Sequence, residues 1–284
     1  MKKKYFPLVG MGFFLLLTES LSIFLSGFFK AYDLKAFENN PDSVMNPIYL
    51  ILMILGFTIL FLLVDKFDLS RFIQFFIGIA VFTTLVYSLM AFIWNFYPLE
   101  IENLFILASF FSLVIVLLYL RYKRWYMINL VGILVAGGAA AIFGFSLSYI
   151  PVIVLLIALA IYDAIAVYKT KHMISLAGSA IELKIPIMFI MPWKKDFSLD
   201  NQDLEEDKKE AFFMGVGDAV MPSILVVSSY IYLDTLIIPI FVAFGSLIGF
   251  VFLSYLVLKG KAQAGLPLLN GGAIVGFLIP YFLI

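Results

Sequence analysis

Long apolar runs separated by short polar or turn-rich breaks dominate the hydropathy pattern of this chain. Most runs approach the roughly 20 residues that an α-helix needs to cross the hydrocarbon core of a bilayer. Because lipid offers no partner to backbone N–H and carbonyl groups, such runs favour helices, which satisfy their own backbone. The pattern predicts nine membrane-spanning helices, near residues 5–29, 47–64, 72–94, 103–120, 126–148, 151–168, 211–232, 236–258 and 267–283.

One connection between the predicted spans is much longer than the others and divides the chain. We expect a six-span N-terminal part over residues 1–170, a connection over 171–210 and a three-span C-terminal part over 211–284. The first half of the connection, from Ile174 to Pro192, is largely apolar, and we expect it to lie on the membrane. The second half is polar and acidic, which is typical of a loop.

Composition and charge support a membrane protein and indicate its orientation. Apolar residues make up 63% of the chain and charged residues only 13%, so the bilayer is the expected solvent. Lys and Arg cluster on one side: with a cytoplasmic N-terminus, only Lys30 and Lys35 fall in outer segments. The positive-inside rule then predicts an all-α polytopic protein of the cell membrane, with the N-terminus and the long connection cytoplasmic and the C-terminus outside. This clustering between spans also argues against a nucleic-acid-binding surface.

Several catalytic chemistries are excluded by residue type alone. The chain has no cysteine, which removes disulfides and thiol catalysis. Its single histidine, His172, lies beside Lys171 at the predicted inner boundary. A zinc-dependent membrane protease needs paired histidines, and a serine–histidine protease needs a histidine within a span. We therefore expect no metal site and no cofactor.

Three carboxylates fall inside the predicted spans, where a charge costs several kcal/mol and an ionisable group is a functional candidate by default. They are Glu19, Asp163 and Asp218. The rise of a helix places Asp163 and Asp218 at similar depth, about 9–12 Å inside the inner boundary. Their spans are consecutive and run antiparallel, so the two carboxyls can face each other and share one proton, as in aspartyl proteases. Glu19 is expected to be protonated and locally hydrogen-bonded, or to lie near the outer interface, rather than to be catalytic.

The residues around Asp218 suit a site that must receive a peptide backbone. Gly215 and Gly217 precede the acid, and Pro222 follows it by four residues. Glycines lacking side chains let a helix loosen and a substrate approach, and the proline weakens the helix further. We expect an irregular, wet segment early in the seventh span.

Three motifs in register resemble the presenilin and signal peptide peptidase family of intramembrane aspartyl proteases. Tyr162 and Asp163 resemble its tyrosine–aspartate motif, and residues 215–218 resemble its glycine-x-glycine-aspartate motif. Residues 267–269 resemble its proline-alanine-leucine motif, with Leu268 in place of the alanine. Because leucine is bulkier than alanine, this departure puts the close packing of the last span at Pro267 in question. The compactness of the chain suggests a prokaryotic or archaeal homologue.

The resemblance implies proteolysis of transmembrane helices, with Asp163 and Asp218 catalytic. It implies that residues 267–269 help to shape the substrate cleft, and the substrate-cleft or motif residues are Tyr162, Gly215, Gly217, Pro267, Leu268 and Leu269. The charge bias gives the presenilin orientation, which implies type I substrates. We expect no obligatory partner subunit, and self-association is left open.

Other functions remain as alternatives at this point. Buried carboxylates also serve proton-coupled or ion-conducting transporters, although the glycine-x-glycine-aspartate motif favours a protease. Prepilin-type peptidases use two aspartates as well, but nine spans and the proline motif in the ninth argue against them. A scaffold with relic acids stays open.

Overall fold

The structure is a computed structural model that describes residues 6–37, 40–66, 70–122, 124–170, 188–193, 211–259 and 263–283. These residues form nine α-helices and one pair of strands. In chain order the elements are α1 Phe6–Ala31, α2 Met45–Lys66, α3 Ser70–Phe96, α4 Ile101–Arg121, α5 Trp125–Ser146, α6 Tyr149–Ile165, β1 Met188–Pro192, β2 Ala211–Gly215, α7 Val216–Leu233, α8 Ile237–Val257 and α9 Leu266–Leu283.

The helices confirm the prediction of an all-α polytopic membrane protein. In the part of the chain that is described, eight helices are long and apolar enough to cross a membrane, and α2 contributes a shorter apolar stretch over Met45–Leu60. Large apolar side chains such as Ile106, Phe110 and Phe252 are exposed on the helix surfaces. A surface this apolar suits contact with lipid rather than with water.

Prolines stand in the first turns of several helices. Pro151, Pro239 and Pro267 lie within the first three residues of α6, α8 and α9. The N–H groups of a first helical turn have no intrahelical acceptor, so proline removes no helical hydrogen bond at these positions. These residues therefore help to fix where the three helices begin.

The start of the predicted seventh span is wrong. Residues 211–215 form the strand β2, which pairs antiparallel with β1 from Met188↔Gly215 to Pro192↔Ala211. Both strands are five-residue apolar segments, and over such a length hydropathy does not separate a strand from a helix. The end of the apolar stretch predicted to lie on the membrane is thus β1, whereas residues 171–187 and 194–210 lie outside the described residues.

Small residues bring α8 and α9 into backbone contact. A side-chain Cβ at Gly245 would overlap the carbonyl oxygen of Gly272, and one at Gly276 would overlap the carbonyl oxygen of Phe241. Close approach through glycine is the usual way in which helices pack inside a bilayer. Gly272 and Gly276 are therefore packing residues, whereas the neighbouring Gly271 has nothing within 4 Å.

Helix α5 is the most buried of the candidate spans and packs against α1, α3 and α7. Gly137 faces Leu21 of α1, Gly138 faces Ser88 of α3, and Gly144 faces Val227 of α7. The Ser88 hydroxyl also donates to the Leu134 carbonyl of α5 at 2.9 Å. The Gly137–Gly138 pair is therefore a helix-packing surface.

Glu19 is buried in the middle of α1, but its hydrogen bond is not local. The Ser246 hydroxyl of α8 donates to Glu19 Oε1 at 2.6 Å. Thr18 and Ser20 instead donate to carbonyls of their own helix, those of Phe14 and Leu16. The expectation of a local partner is thus wrong, because hydroxyls within a helix are drawn to the carbonyl of the preceding turn.

Candidate active site

Asp163 lies in the last turn of α6, where the helix changes character. After Ile165 the chain continues as a π-helical turn over Ala166–Thr170. Wider turns of this kind occur frequently beside functional sites. The Asp163 side chain is buried, with a residue exposure of 5%.

Asp218 lies at the N-terminus of α7, immediately after the strand β2. Gly215 is the N-cap residue in an extended conformation, and Asp218 is the third helical residue. The Asp218 carboxyl turns back toward Gly215, where a Cβ would lie 3.4 Å from Asp218 Oδ2, and this placement resembles the returning half of a capping box. A carboxylate at this end of a helix also interacts favourably with the helix dipole.

The two glycines of this motif play different parts from those expected. They do not loosen a continuous helix, because α7 begins at Val216. Gly215 ends the strand and caps the helix, while Gly217 is exposed and has nothing within 4 Å of the position a Cβ would take. Pro222 lies inside α7 and cannot donate to the Asp218 carbonyl four residues earlier, which leaves that carbonyl without its usual partner.

The segment that leads into α9 brings the two acids together. The Leu266 N–H donates to Asp163 Oδ2 at 3.0 Å. A Cβ at Gly265 would lie 3.1 Å from Asp218 Oδ2, so this glycine packs directly against the second carboxyl. Two carboxyls from consecutive spans thus flank one peptide unit, Gly265–Leu266.

Pro267, Leu268 and Leu269 form the first turn of α9 beside this peptide unit. The N–H groups of Leu268 and Leu269 donate to the Gly265 carbonyl at 3.3 Å and 3.2 Å. Leu269 is fully buried, whereas Leu268 is partly buried. The turn therefore fixes the direction of the Leu266 N–H toward Asp163.

The leucine at position 268 does not prevent close packing of α9. Gly249 of α8 contacts the backbone of Leu268, and a Cβ at Gly249 would overlap the Leu268 carbonyl oxygen. The close contact is therefore made by the main chain of Leu268, and it is possible because Gly249 of α8 has no side chain. Close packing of this turn, which the leucine put in question, is present at Leu268 and Leu269.

Tyr162 points in a different direction from its neighbour Asp163. Its hydroxyl donates to Thr58 Oγ1 of α2 at 3.4 Å, whereas Asp163 faces α9. Side chains of adjacent helical residues diverge by about 100°, so the two cannot point the same way. The cleft role of Tyr162 stays a prediction.

A second contact joins the end of α6 to the segment before α9. The Tyr168 hydroxyl, in the π-helical turn, donates to Gln263 Oε1 at 2.9 Å and accepts from the Ala264 N–H at 3.4 Å. Sequence analysis missed Tyr168 and Gly265. A glycine directly before a Leu-Pro helix start was a usable signal for Gly265, but no sequence pattern marked the tyrosine.

The predicted absence of a metal site stays a prediction. Within the described residues no group of three or more potential metal ligands occurs. His172 lies outside the described residues.

Comparisons with known proteins identify the family of this chain. The family "Signal-peptide peptidase, presenilin aspartyl protease" matches residues 11–284. A solved structure of a presenilin family intramembrane aspartate protease in the C222 space group is 35% identical, with a TM-score of 0.72, and the match covers 99% of this chain and 100% of that chain. A second such structure, in the P2 space group, is 38% identical, with a TM-score of 0.71 and 98% coverage of both chains. No curated protein matches the chain.

The family match spans nearly the whole chain, and both structural matches exceed 30% identity over their full lengths. The members of this family act on transmembrane segments within the bilayer. The chain therefore belongs to the signal-peptide peptidase and presenilin family and is a multi-pass membrane protein with aspartic endopeptidase activity.

Proposed function

We propose that this protein hydrolyses peptide bonds within transmembrane segments, with Asp163 and Asp218 as its catalytic pair. The observation that carries the proposal is the convergence of both carboxyls on the Gly265–Leu266 peptide unit. Glu19, the other acid predicted within the membrane, is bonded to Ser246. The acids from α6 and α7 are therefore the pair suited to joint acid–base chemistry.

The pair works by sharing one proton. Two carboxyls at close range do not both ionise, so one is a base while the other is an acid. The carboxylate takes a proton from water as the water oxygen bonds to the scissile carbonyl carbon. The protonated partner donates to the carbonyl oxygen, where negative charge develops. The C–N bond then breaks as the leaving nitrogen takes the proton that the first aspartate removed from water, and the second aspartate recovers its proton from the hydroxyl of the tetrahedral intermediate.

The strand β2 gives an extended substrate a place to bind. In an antiparallel pair, alternate residues direct their N–H and carbonyl groups away from the partner strand. The Ile190 N–H and carbonyl bond to Asn129 rather than to β2, so those of the opposite residue, Phe213, face the outer edge of β2. A substrate segment paired there by β-augmentation would lie next to Gly215, three residues before Asp218.

The motif residues have complementary roles in this scheme. Gly217 leaves open space beside Asp218 for the substrate backbone. Gly215 fixes the turn between the binding strand and the catalytic helix. Pro267, Leu268 and Leu269 hold the Gly265–Leu266 unit against the acids, and Tyr162 anchors the preceding turn of α6 to α2.

The distribution of Lys and Arg supports a cytoplasmic N-terminus, a cytoplasmic 171–210 connection and an outer C-terminus. In this orientation the six-span and three-span parts each supply one catalytic aspartate from the cytoplasmic side of the cell membrane. The substrates are then type I segments, with an outer N-terminus. We expect the chain to act without an obligatory partner subunit.

The proposal is tested by assaying proteolysis and ion movement in one preparation of liposomes. A labelled type I single-span peptide is reconstituted with the protein, and its fragments and the uptake of cations are both measured. Cleavage at positions within the span supports the proposal. Uptake of ions without fragments across a panel of such peptides overturns it in favour of a transporter.

A further inference from the structure

Asn129 of α5 occupies the outer edge of β1. Its amide nitrogen donates to the Ile190 carbonyl at 2.7 Å, and its Oδ1 accepts from the Ile190 N–H at 2.8 Å. The asparagine is 3% exposed, and both of its bonds are therefore shielded from water. In this way one side chain satisfies the two backbone groups that a neighbouring strand would otherwise satisfy.

A second residue of α5 supports the same strand. Gly132 lies three residues after Asn129, on the same helix face, and a Cβ there would meet the Phe189 ring at 3.0 Å. The Phe189 ring also packs against Phe14 of α1, with 5.8 Å between ring centroids. The main chain and the side chains of β1 are thus both fixed to neighbouring helices.

The two edges of the hairpin are consequently unequal. A two-stranded sheet normally offers an unpaired edge on each side, and either can bind an extended peptide. Here the β1 edge is filled at Ile190, whereas no described residue bonds to the outward groups of Phe213 on β2. Only the β2 edge leads directly to Asp218.

We propose that Asn129 is a positioning residue that closes the β1 edge, fixes the hairpin relative to Asp218 and thereby determines which peptide bond of the substrate is cut. This inference rests on the proposed function. Without the amide, the hairpin loses its bidentate anchor and gains a second edge for pairing. Strand pairing registers differ by whole residues, so either change presents other peptide bonds to the acids.

The test compares Asn129→Leu and Asn129→Asp with the unaltered protein, using mass spectrometry to locate the cuts in a single-span peptide. Leucine keeps the approximate size but makes neither bond, while aspartate keeps the acceptor and loses the amide donor. Asn46→Leu is the control, because Asn46 is also buried and its amide donates to a backbone carbonyl, that of Asn40 at 3.0 Å, away from the hairpin.

We expect Asn129→Leu to lower kcat/KM about tenfold and to add new cut positions, because two buried backbone groups lose their partners. Asn129→Asp should give a smaller loss of kcat/KM and fewer new cut positions than Asn129→Leu. If the leucine variant does not fold, the cut positions of Asn129→Asp test the inference. A role in stability alone would reduce the amount of folded protein but leave the cut positions of the remaining enzyme unchanged.

Unchanged cut positions in both Asn129 variants would overturn the inference. New cut positions in Asn46→Leu would do so as well. Asp163→Asn and Asp218→Asn are included to distinguish a failure of the proposed function from a failure of the inference about Asn129. If these variants still cleave, the proposed function fails; if they are inactive while the Asn129 variants cut as the unaltered protein does, only the inference about Asn129 fails.

Discussion

Replacing Gly249 by alanine should lower the cleavage rate, although Gly249 is not part of the active site. A Cβ at this position would overlap the Leu268 carbonyl oxygen and would lie 2.9 Å from its carbonyl carbon and 3.1 Å from the Leu269 Cα. All three are backbone atoms, so no side-chain rotation relieves the contact. Because carbon atoms pack at about 3.5–4.0 Å, α9 must retreat from α8 by at least about 0.6 Å.

The retreat affects Asp163 because Leu266 lies two residues before Leu268. The hydrogen bond from the Leu266 N–H to Asp163 Oδ2 is 3.0 Å long. A displacement of about 0.6 Å along this bond lengthens it to the limit at which it ceases to be a hydrogen bond. Misplacements of about 1 Å near reacting groups can lower rates by about 100-fold. Overpacking of this kind also costs about 1–3 kcal/mol of stability.

Gly271→Ala is the matched control for this change. Gly271 lies in α9 and has nothing within 4 Å, so the variant adds the same methyl group without a contact. Both variants are assayed for cleavage of a single-span peptide and for the midpoint of thermal unfolding in detergent. The expected result is a cleavage rate lowered 10- to 100-fold in Gly249→Ala and a nearly unchanged rate in Gly271→Ala. Equal rates in the two variants would refute the argument from packing.

Three further predictions concern single side chains. Tyr168→Phe should lower kcat severalfold with little change in KM, because the loss of one hydroxyl frees Gln263 and the Ala264 N–H; an unchanged kcat would remove Tyr168 from site positioning. Pro267→Ala should lower turnover more than it lowers the unfolding midpoint, and identical kinetics would detach this turn from the site. Glu19→Gln keeps a carbonyl acceptor for Ser246 and should cleave normally, whereas Glu19→Leu should lose about 1–3 kcal/mol of stability; a stable leucine variant would show that this bond contributes little.

Hydropathy was sufficient to locate the helices, apart from the start of the seventh span. Asp163 and Asp218 could be paired from sequence because consecutive spans run antiparallel and their distances from the shared boundary can be counted. The strands could not be predicted, since residues 188–192 and 211–215 are apolar segments too short for periodicity to assign. The cap that Gly215 forms for α7 depends on β2 and was missed with it.

Contacts between distant parts of the chain explain the remaining differences. Glu19 and Ser246 are separated by 227 positions, and Asp163 and Leu266 by 103. Nothing in the local sequence around these residues specifies such partners. Leu268 shows the same limit, because its effect on packing depends on Gly249, a residue of another helix. Local rules therefore located the acids but not the peptide unit that joins them.

Joint action of Asp163 and Asp218 as the catalytic pair can be tested directly. The most direct measurement is the cleavage of a labelled type I single-span peptide by the unaltered protein, by Asp163→Asn and by Asp218→Asn, with Glu19→Gln as the control for loss of a buried acid. An amide has nearly the same size as the acid but can neither take nor give the proton. We expect cleavage by the unaltered protein and by Glu19→Gln, and none by either aspartate variant at equal amounts of folded protein. Cleavage that survives either Asp→Asn change would contradict a joint catalytic role of the two aspartates.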